Sequence, residues 1–322
     1  MAIPTLYKWD DAGAPQLTRQ AQSLLTILRK CLVEGYGSKA ALGWSIAFDD
    51  AVNQRTVYRN ASGKGEIRFA PASTPTGDNV AFAAASSFAD IDTALAPGLF
   101  DLALTYWTYE YNRWSIIGTG DALYLLMWNS SLTVSNSASQ TRQQTYFFGN
   151  LISPIADDPH PFVAIGRASP APTNTTPPPA HTVGAVLSTR LASSFSSSQV
   201  QGSTYISGSI SGAASRRPVN ILTPIWIAAD SATAKLYQPS NPLLVPAMPA
   251  LLIELATPST PPADKDGEPI IRGIVPGITA LGFWLDCLHG SLIDVGGTPH
   301  IALQTTLGIG SALLISLGEW QS

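Results

Sequence analysis

A lysine and two glycines stand close together in the stretch CLVEGYGSKAALGW, residues 31–44, a combination that could cradle a phosphate. In phosphate loops a strand comes first and the glycines then open a helix, whose free N–H groups and positive dipole end face the anion. Here an amphipathic helical pattern precedes Gly35 and Gly37, which places both glycines at the negative end of that helix. The sequence therefore predicts a helix terminator at this position and not a nucleotide site.

Two segments combine aspartates with other possible metal ligands. The segment ADDPHPF, residues 156–162, could form a metal or acid–base site, but its prolines favour a rigid turn between two strands. The segment ADKDGEP, residues 263–269, resembles the opening of a calcium loop, and its alternative is a solvated hairpin tip. The second segment lacks the third ligand before the glycine and the closing bidentate glutamate that such a loop needs.

Asp90 and Asp92 are a carboxylate pair of the kind that glycan-cleaving enzymes use. Side chains two residues apart on one strand share a face at a fixed spacing, so this pair cannot flank a substrate by itself. The four histidines are spread along the chain with no ligand spacing, and no serine lies in a nucleophile-elbow setting. We therefore predict no catalytic residue, no cofactor-binding residue, no cofactor and no metal ligand, and hence no enzyme.

Four aromatic residues lie close together in the segment from 107 to 114 and could form a platform on which sugar rings stack. The candidate glycan contacts are Trp107, Tyr109, Tyr111 and Trp114. In alternating β segments such rings more often belong to the core and to cross-strand pairs, which is the alternative interpretation.

One amphipathic helix is predicted from Pro15 to Glu34, because apolar residues recur there at spacings of three and four. Pro15 suits a first helical turn, where its missing N–H costs nothing. Gly35 suits a left-handed C-terminal cap, and Gly37 prevents the helix from resuming.

Short apolar and aromatic segments separated by turn residues follow the helix and predict antiparallel strands. The clearest signal is a hairpin that turns at residues 118–121, and NASGKG, residues 60–65, is predicted as another turn. The predicted fold is α+β and β-rich: an N-terminal helix packed on an antiparallel sheet, followed by a C-terminal β-sandwich or barrel-like module. The predicted organisation is an α+β domain over 1–167, a Pro/Ser/Gly-rich linker or extended arm over 168–218, and a β-rich domain over 219–322.

Composition restricts the possible partners. Only 12% of the 322 residues are charged, about half the usual ~25%, while 45% are hydrophobic. Such a chain has few charges for its surface, so we expect other subunits to cover part of it. The net charge of −4 gives no support for nucleic-acid binding. We predict no membrane span, since the longest apolar stretch is short and broken by glycine, and we interpret Cys31 and Cys287 as buried thiols.

Several segments of the sequence, in the order in which they occur, resemble a known protein family. They are LYKWDDAGAPQLTRQAQSLLTILRKCLVEGYGSKAALGWSIAF, VYRN, FADIDTAL, RWSIIGTGDALYLLMW, YFFGNLISP and FVAIGR, and then IIRGIVPGI before a closing β segment that ends in GEW. In this order they resemble a family of tailed-bacteriophage virion structural proteins. The N-terminal resemblance spans about half of the chain, and the Pro- and Ser-rich middle resembles nothing that we can name.

The resemblance implies a non-enzymatic structural component of the virion, in the tail, tail tip or baseplate, that acts by protein–protein assembly. The alternatives are a head decoration or collar protein, a receptor- or glycan-binding module at the tail tip, and a hydrolase that acts on envelope polymers. The expected partners are copies of the chain itself and other virion proteins, with host surface glycan as a further candidate. The expected location is the virion, assembled in the host cytoplasm.

Overall fold

The structure is a computed structural model of the 322-residue chain. It describes residues 2–72, 80–95, 102–103, 111–130, 143–154, 158, 161–165, 204–206, 219–222, 247–254, 270–281, 288–303 and 312–320. In this part of the chain the fold is β-rich, with three antiparallel sheets and one short helix.

The helix α1 spans Ala21–Arg29 and continues as a π-helical turn over Lys30–Glu34. Its predicted end is confirmed, but the predicted start at Pro15 is wrong. In a helix the Pro15 carbonyl would accept the amide of the fourth residue along, and here it accepts the indole N–H of Trp114 at 3.0 Å. The hydroxyl of Ser23 donates to the carbonyl oxygens of Thr18 and Gln20, which holds the preceding residues in a turn.

Both glycines after the helix have positive φ, but Gly35 has a ψ of 170° and so does not adopt the predicted left-handed cap conformation. Gly35 has φ +80°, and its amide donates to the carbonyl of Lys30, which closes the π-helical turn. Gly37 has φ +57°, and a Cβ atom there would lie 2.3 Å from the carbonyl oxygen of Ala12. The chain can therefore turn at Gly37 only because no side chain is present.

The seventeen described strands form three sheets. The N-terminal sheet has the order β2-β3-β4-β5-β6 (Ser45–Asp50, Arg55–Arg59, Glu66–Pro71, Val80–Ala85, Leu102–Ala103). The central sheet has the order β1-β7-β8-β9-β10-β11 (Thr5–Lys8, Arg113–Gly118, Ala122–Trp128, Gln143–Asn150, Phe162–Ile165, Thr204–Ile206). The C-terminal sheet has the order β12-β13-β14-β17-β16-β15 (Val219–Leu222, Ala247–Glu254, Ile270–Leu281, Ala312–Ser316, Thr298–Leu303, Leu292–Val295).

Both predicted turns are present. Residues 119–121 join β7 to β8, and Gly118 pairs with Leu123 at the base of this hairpin. Residues 60–65 join β3 to β4.

The central sheet is covered on both faces, which accounts for its unbroken burial along β8. One face contributes residues such as Trp114, Leu125 and Phe148 to a core shared with α1 and with the N-terminal sheet. Phe148 meets Phe69 and Phe82 edge-on, with ring centroids 5.5 and 5.2 Å apart. Alternate residues on the same strands point the opposite way, as the period of two requires.

The second face of the central sheet shares a core with the C-terminal sheet. That core contains the central-sheet residues Ile117, Ala122, Tyr124, Leu126, Trp128, Phe147 and Val163, Leu151 from the segment after β9, and Val275, Ile278, Ile301, Leu303, Leu313, Ile315 and Trp320 from the C-terminal part. Backbone pairs join Ala2 to Trp320 and Ile152 to Ile274. The described parts of 1–167 and 219–322 therefore share one apolar layer.

Most of the predicted 168–218 linker lies outside the described residues. Within it, Thr204–Ile206 forms β11 and pairs with β10 of the central sheet. Cys31 is a buried free thiol, and Cys287 lies outside the described residues. Among the described residues, no helix is both long enough and apolar enough to span a bilayer.

Candidate functional site

Two of the four candidate glycan contacts are core residues. Tyr111 is 3% exposed and Trp114 is fully buried, and the Trp114 ring meets Tyr36 edge-on at 6.2 Å. A sugar ring needs an open aromatic face, so the structure does not support the surface-contact hypothesis at these two positions. Trp107 and Tyr109 lie outside the described residues.

The carboxylates of Asp90 and Asp92 hold a loop on the outer face of the N-terminal sheet. Asp90 accepts the amides of Asp92 and Thr93, and these hydrogen bonds, chiefly that from the Asp92 backbone, lower the pKa of Asp90. Asp92 Oδ1 lies 2.6 Å from a guanidinium nitrogen of Arg55 and 3.0 Å from one of Arg68. Both carboxylates are therefore engaged in structural contacts.

The lysine of the glycine-containing segment is part of an internal network. Lys39 Nζ donates to Asp11 Oδ2 at 2.6 Å and to the Leu6 carbonyl at 2.5 Å, and the Tyr36 hydroxyl donates to the same aspartate oxygen at 2.8 Å. Burial raises the pKa of Asp11, but the hydrogen bonds from Lys39, the Lys8 amide and Tyr36 outweigh it and leave the pKa below its usual value. Lys39 thus fastens the turn after the helix to the N-terminal strand.

The Cys31 thiol is a nucleophilic group in the same region. It is fully buried, and this burial raises its pKa, so the thiol stays protonated.

The helix end beside this network presents carbonyl oxygens to the residues that follow it. The carbonyls of Cys31 and Leu32 accept the amides of Leu42 and Trp44 at 2.9 and 3.1 Å. Carbonyl oxygens mark the negative end of a helix, so the prediction of a terminator is confirmed.

A cleft of about 360 Å³ opens where the three sheets meet. A polar network forms part of its wall: Asn150 Nδ2 donates to Ser62 Oγ at 2.8 Å, and the Ser62 amide donates to Asp121 Oδ1 at 2.9 Å. Asp158, from the segment 156–162 that was predicted as a rigid turn with an acid–base site as the alternative, is buried beside this cleft, while Asp157 and His160 lie outside the described residues. Lys64 also lines the cleft.

A second cleft, of about 270 Å³, separates the end of β1 from the segment Leu288–Ser291 before β15. The Arg113 guanidinium lies over the Trp9 ring, 4.7 Å from its centroid. Lys8 Nζ lies 3.2 Å from a carboxylate oxygen of Asp10 on the rim. The cleft therefore carries two cations and one carboxylate.

His289 contacts this cleft from inside the core, and sequence reasoning missed it. The ring meets Trp128 edge-on at 5.7 Å, and Nε2 lies 3.3 Å from Oγ1 of Thr145. Burial lowers the pKa of His289 to about 3, so the imidazole is neutral. In the sequence, the apolar neighbours of His289 in the stretch FWLDCLHG were the signal that could have predicted its burial.

Strand β15 forms one edge of the C-terminal sheet. Its outward residue Leu292 is 64% exposed, and Leu288 just before it is 40% exposed. Within the described ranges, β15 pairs only with β16, so one side of its backbone has no strand partner. An edge of this kind can extend a sheet into a neighbouring chain.

No group of three or more histidine, cysteine, aspartate and glutamate side chains among the described residues could hold a metal ion. No protein-family model matches the chain, and no curated protein matches it.

Proposed function

We propose that the protein is a structural subunit of a tailed-bacteriophage virion, in the tail, tail tip or baseplate, and that it acts by protein–protein assembly. The resemblance of the N-terminal stretches to that family supports the proposal. The low share of charged residues agrees with it, because a surface poor in charge gains stability when neighbouring subunits cover it.

The exposed edge of β15 is the observation that supports protein–protein assembly. Among the described residues one side of β15 has no strand partner, and such an edge next to Leu292 and Leu288 suits a neighbouring β-strand. We assign this edge to a second copy of the same chain, because repeated copies arranged around an axis are the simplest way to build a particle.

For the fold, we further propose that the central and C-terminal sheets form a β-sandwich. The support is their shared apolar layer, to which both sheets contribute alternate residues.

Sedimentation equilibrium on a matched pair of variants tests the assembly proposal. In Leu292→Lys a charge on the edge should prevent strand pairing, as lysines do on natural sheet edges. Loss of one buried leucine corresponds to about 1.5–3 kcal/mol, so association should weaken about tenfold or more. Val52→Lys is the control, since Val52 is 88% exposed in the turn between β2 and β3.

The expected result is that the wild type and Val52→Lys associate equally at micromolar concentration, while Leu292→Lys shifts toward monomer. A wild type that stays monomeric would contradict the assembly proposal. Equal association of all three proteins would contradict only the assignment of the edge.

A further inference from the structure

The segment Leu288–Ser291 is attached to the central sheet through one side chain that can change its charge. His289 is 3% exposed and packs against Trp128 of β8 and Thr145 of β9. Its Nδ1 atom is buried and has no hydrogen-bond partner among the described residues. A neutral imidazole tolerates this position, whereas an imidazolium would carry a second N–H with no acceptor there.

The backbone around His289 leaves little room for the ring to move aside. The amide of Gly290 donates to the Ala302 carbonyl at 2.9 Å, and the Ala302 amide donates back to Ser291 at 2.8 Å. Gly290 has φ +80°, and a Cβ atom there would lie 2.9 Å from the Trp128 ring. The segment is therefore pressed against Trp128, and opening of this contact would expose the buried Nδ1 atom of His289 to water.

Among the described residues, the charged groups near His289 do not compensate a positive charge. Lys8 and Asp10 on the β1 side form a pair with each other, and Arg113 of β7 lies over the Trp9 ring. The sides formed by β8 and β9 contribute Trp128 and Thr145, which are uncharged. On β16, the Nδ1 atom of His300 lies 2.8 Å from the Thr298 carbonyl.

We propose that Leu288–Ser291 is an acid-releasable clasp: protonation of His289 at mildly acidic pH detaches this segment from Trp128 and Thr145 and opens the contact between the C-terminal and central sheets. The inference does not depend on the proposed virion role. In this proposal the contact between the C-terminal sheet and the central sheet depends on pH.

The direction of the pH dependence follows from the pKa of His289 in the closed and open states of the segment. In the closed state burial lowers the pKa of His289 to about 3, and in the open state the pKa returns to about 6.5. Closure is thus fully favoured above pH 6.5 and weakens as the pH falls toward 3. At pH 5 the opening constant should be about 25-fold larger than at pH 7, from the ratio of protonation factors of the two states.

Hydrogen exchange measured by mass spectrometry on the full chain tests this inference. After correction for intrinsic exchange, peptides covering 288–303 and 122–128 should lose protection about 25-fold between pH 7 and pH 5. His289→Gln and His289→Phe should remove that pH dependence, and the matched control His300→Gln should keep it. Unchanged protection in the wild type, or the same pH response in both His289 variants, would overturn the proposal.

A titration of the wild-type histidine ring signals by NMR keeps the test independent of whether the variants fold. The expected result is that the His289 signal of the closed state shows no titration above pH 4.5. A His289 signal that titrates near pH 6.5 while residues 288–303 stay protected would overturn the clasp.

Discussion

Trp320→Ala should destabilise the C-terminal and central sheets together. Trp320 is 3% exposed, meets Tyr124 edge-on at 5.6 Å, and donates its indole N–H to the Ser316 carbonyl at 2.8 Å. Its backbone also pairs with Ala2, which ties the end of the C-terminal sheet to the N-terminal segment. The ring occupies a slot that exists because residue 277 is glycine, where a Cβ atom would lie 2.3 Å from the indole.

The expected loss is about 3–5 kcal/mol in the free energy of unfolding, the range for replacing a buried tryptophan by alanine. This is a large part of the roughly 5–15 kcal/mol that stabilises a typical protein. Trp320→Phe serves as the matched variant, because it keeps most of the ring contact with Tyr124 and loses the indole hydrogen bond, which contributes about 1 kcal/mol. The two variants therefore separate packing from hydrogen bonding.

Urea unfolding at one fixed protein concentration, combined with hydrogen exchange, measures the effect. Peptides from β8 and from β14 should lose protection by the same factor in Trp320→Ala, because the two sheets share one apolar layer. A loss below about 1 kcal/mol would refute the packing argument. Loss of protection in β14 with wild-type protection in β8 would refute the shared core and favour two independent domains.

Two further substitutions test the segment after the helix. Gly37→Ala should lower the free energy of unfolding by about 2 kcal/mol or more, because it adds a backbone clash to a positive φ. Gly63 has φ +72° and open space around it, so Gly63→Ala should lower the free energy of unfolding by only about 1 kcal/mol. Comparable losses in urea unfolding would contradict the clash. Lys39→Met should cost about 2 kcal/mol at pH 7 by leaving the partly buried Asp11 without its cation. Because the folded-state pKa of Asp11 lies below its usual value, this stabilisation is present above pH 3.8 and is lost as the pH falls. The stabilities of wild type and Lys39→Met in thermal unfolding should therefore converge at pH 2–3. A difference in stability that stays constant over this range would contradict the network. The exposed Lys8→Met control should change stability by less than about 0.5 kcal/mol.

Two turns between strands could be predicted because turn chemistry is local. The turn before Ala122 and the turn that ends at Gly65 are each signalled by a few neighbouring residues. The end of the helix was likewise visible in Gly35 and Gly37, whose positive φ no other residue type adopts easily.

The start of the helix and the stacking of the sheets depend on distant contacts. The Pro15 carbonyl is taken by Trp114, which lies 99 residues away in the sequence, so local pattern alone extends the helix too far. The unbroken apolar run of β8 could have indicated a strand buried on both faces, but that run does not say which sheet covers each face.

The candidate site was the least predictable part for the same reason. The aromatic content of the segment marked Tyr111 and Trp114 either as a sugar platform or as core residues, and only the packing showed that both rings are buried. His289 acquires its unusual environment from Trp128 and Thr145, which are far away in the sequence. No local spacing could have drawn attention to it.

The virion role is tested most directly by the protein content of purified phage particles. Phage release is induced in the source strain, the released particles are banded in a caesium chloride gradient, and the chain is quantified by mass spectrometry. The expected result is several copies per particle, at a constant ratio to the major capsid protein across the band. A chain that stays in the soluble fraction and is absent from the banded particles would contradict the proposed role.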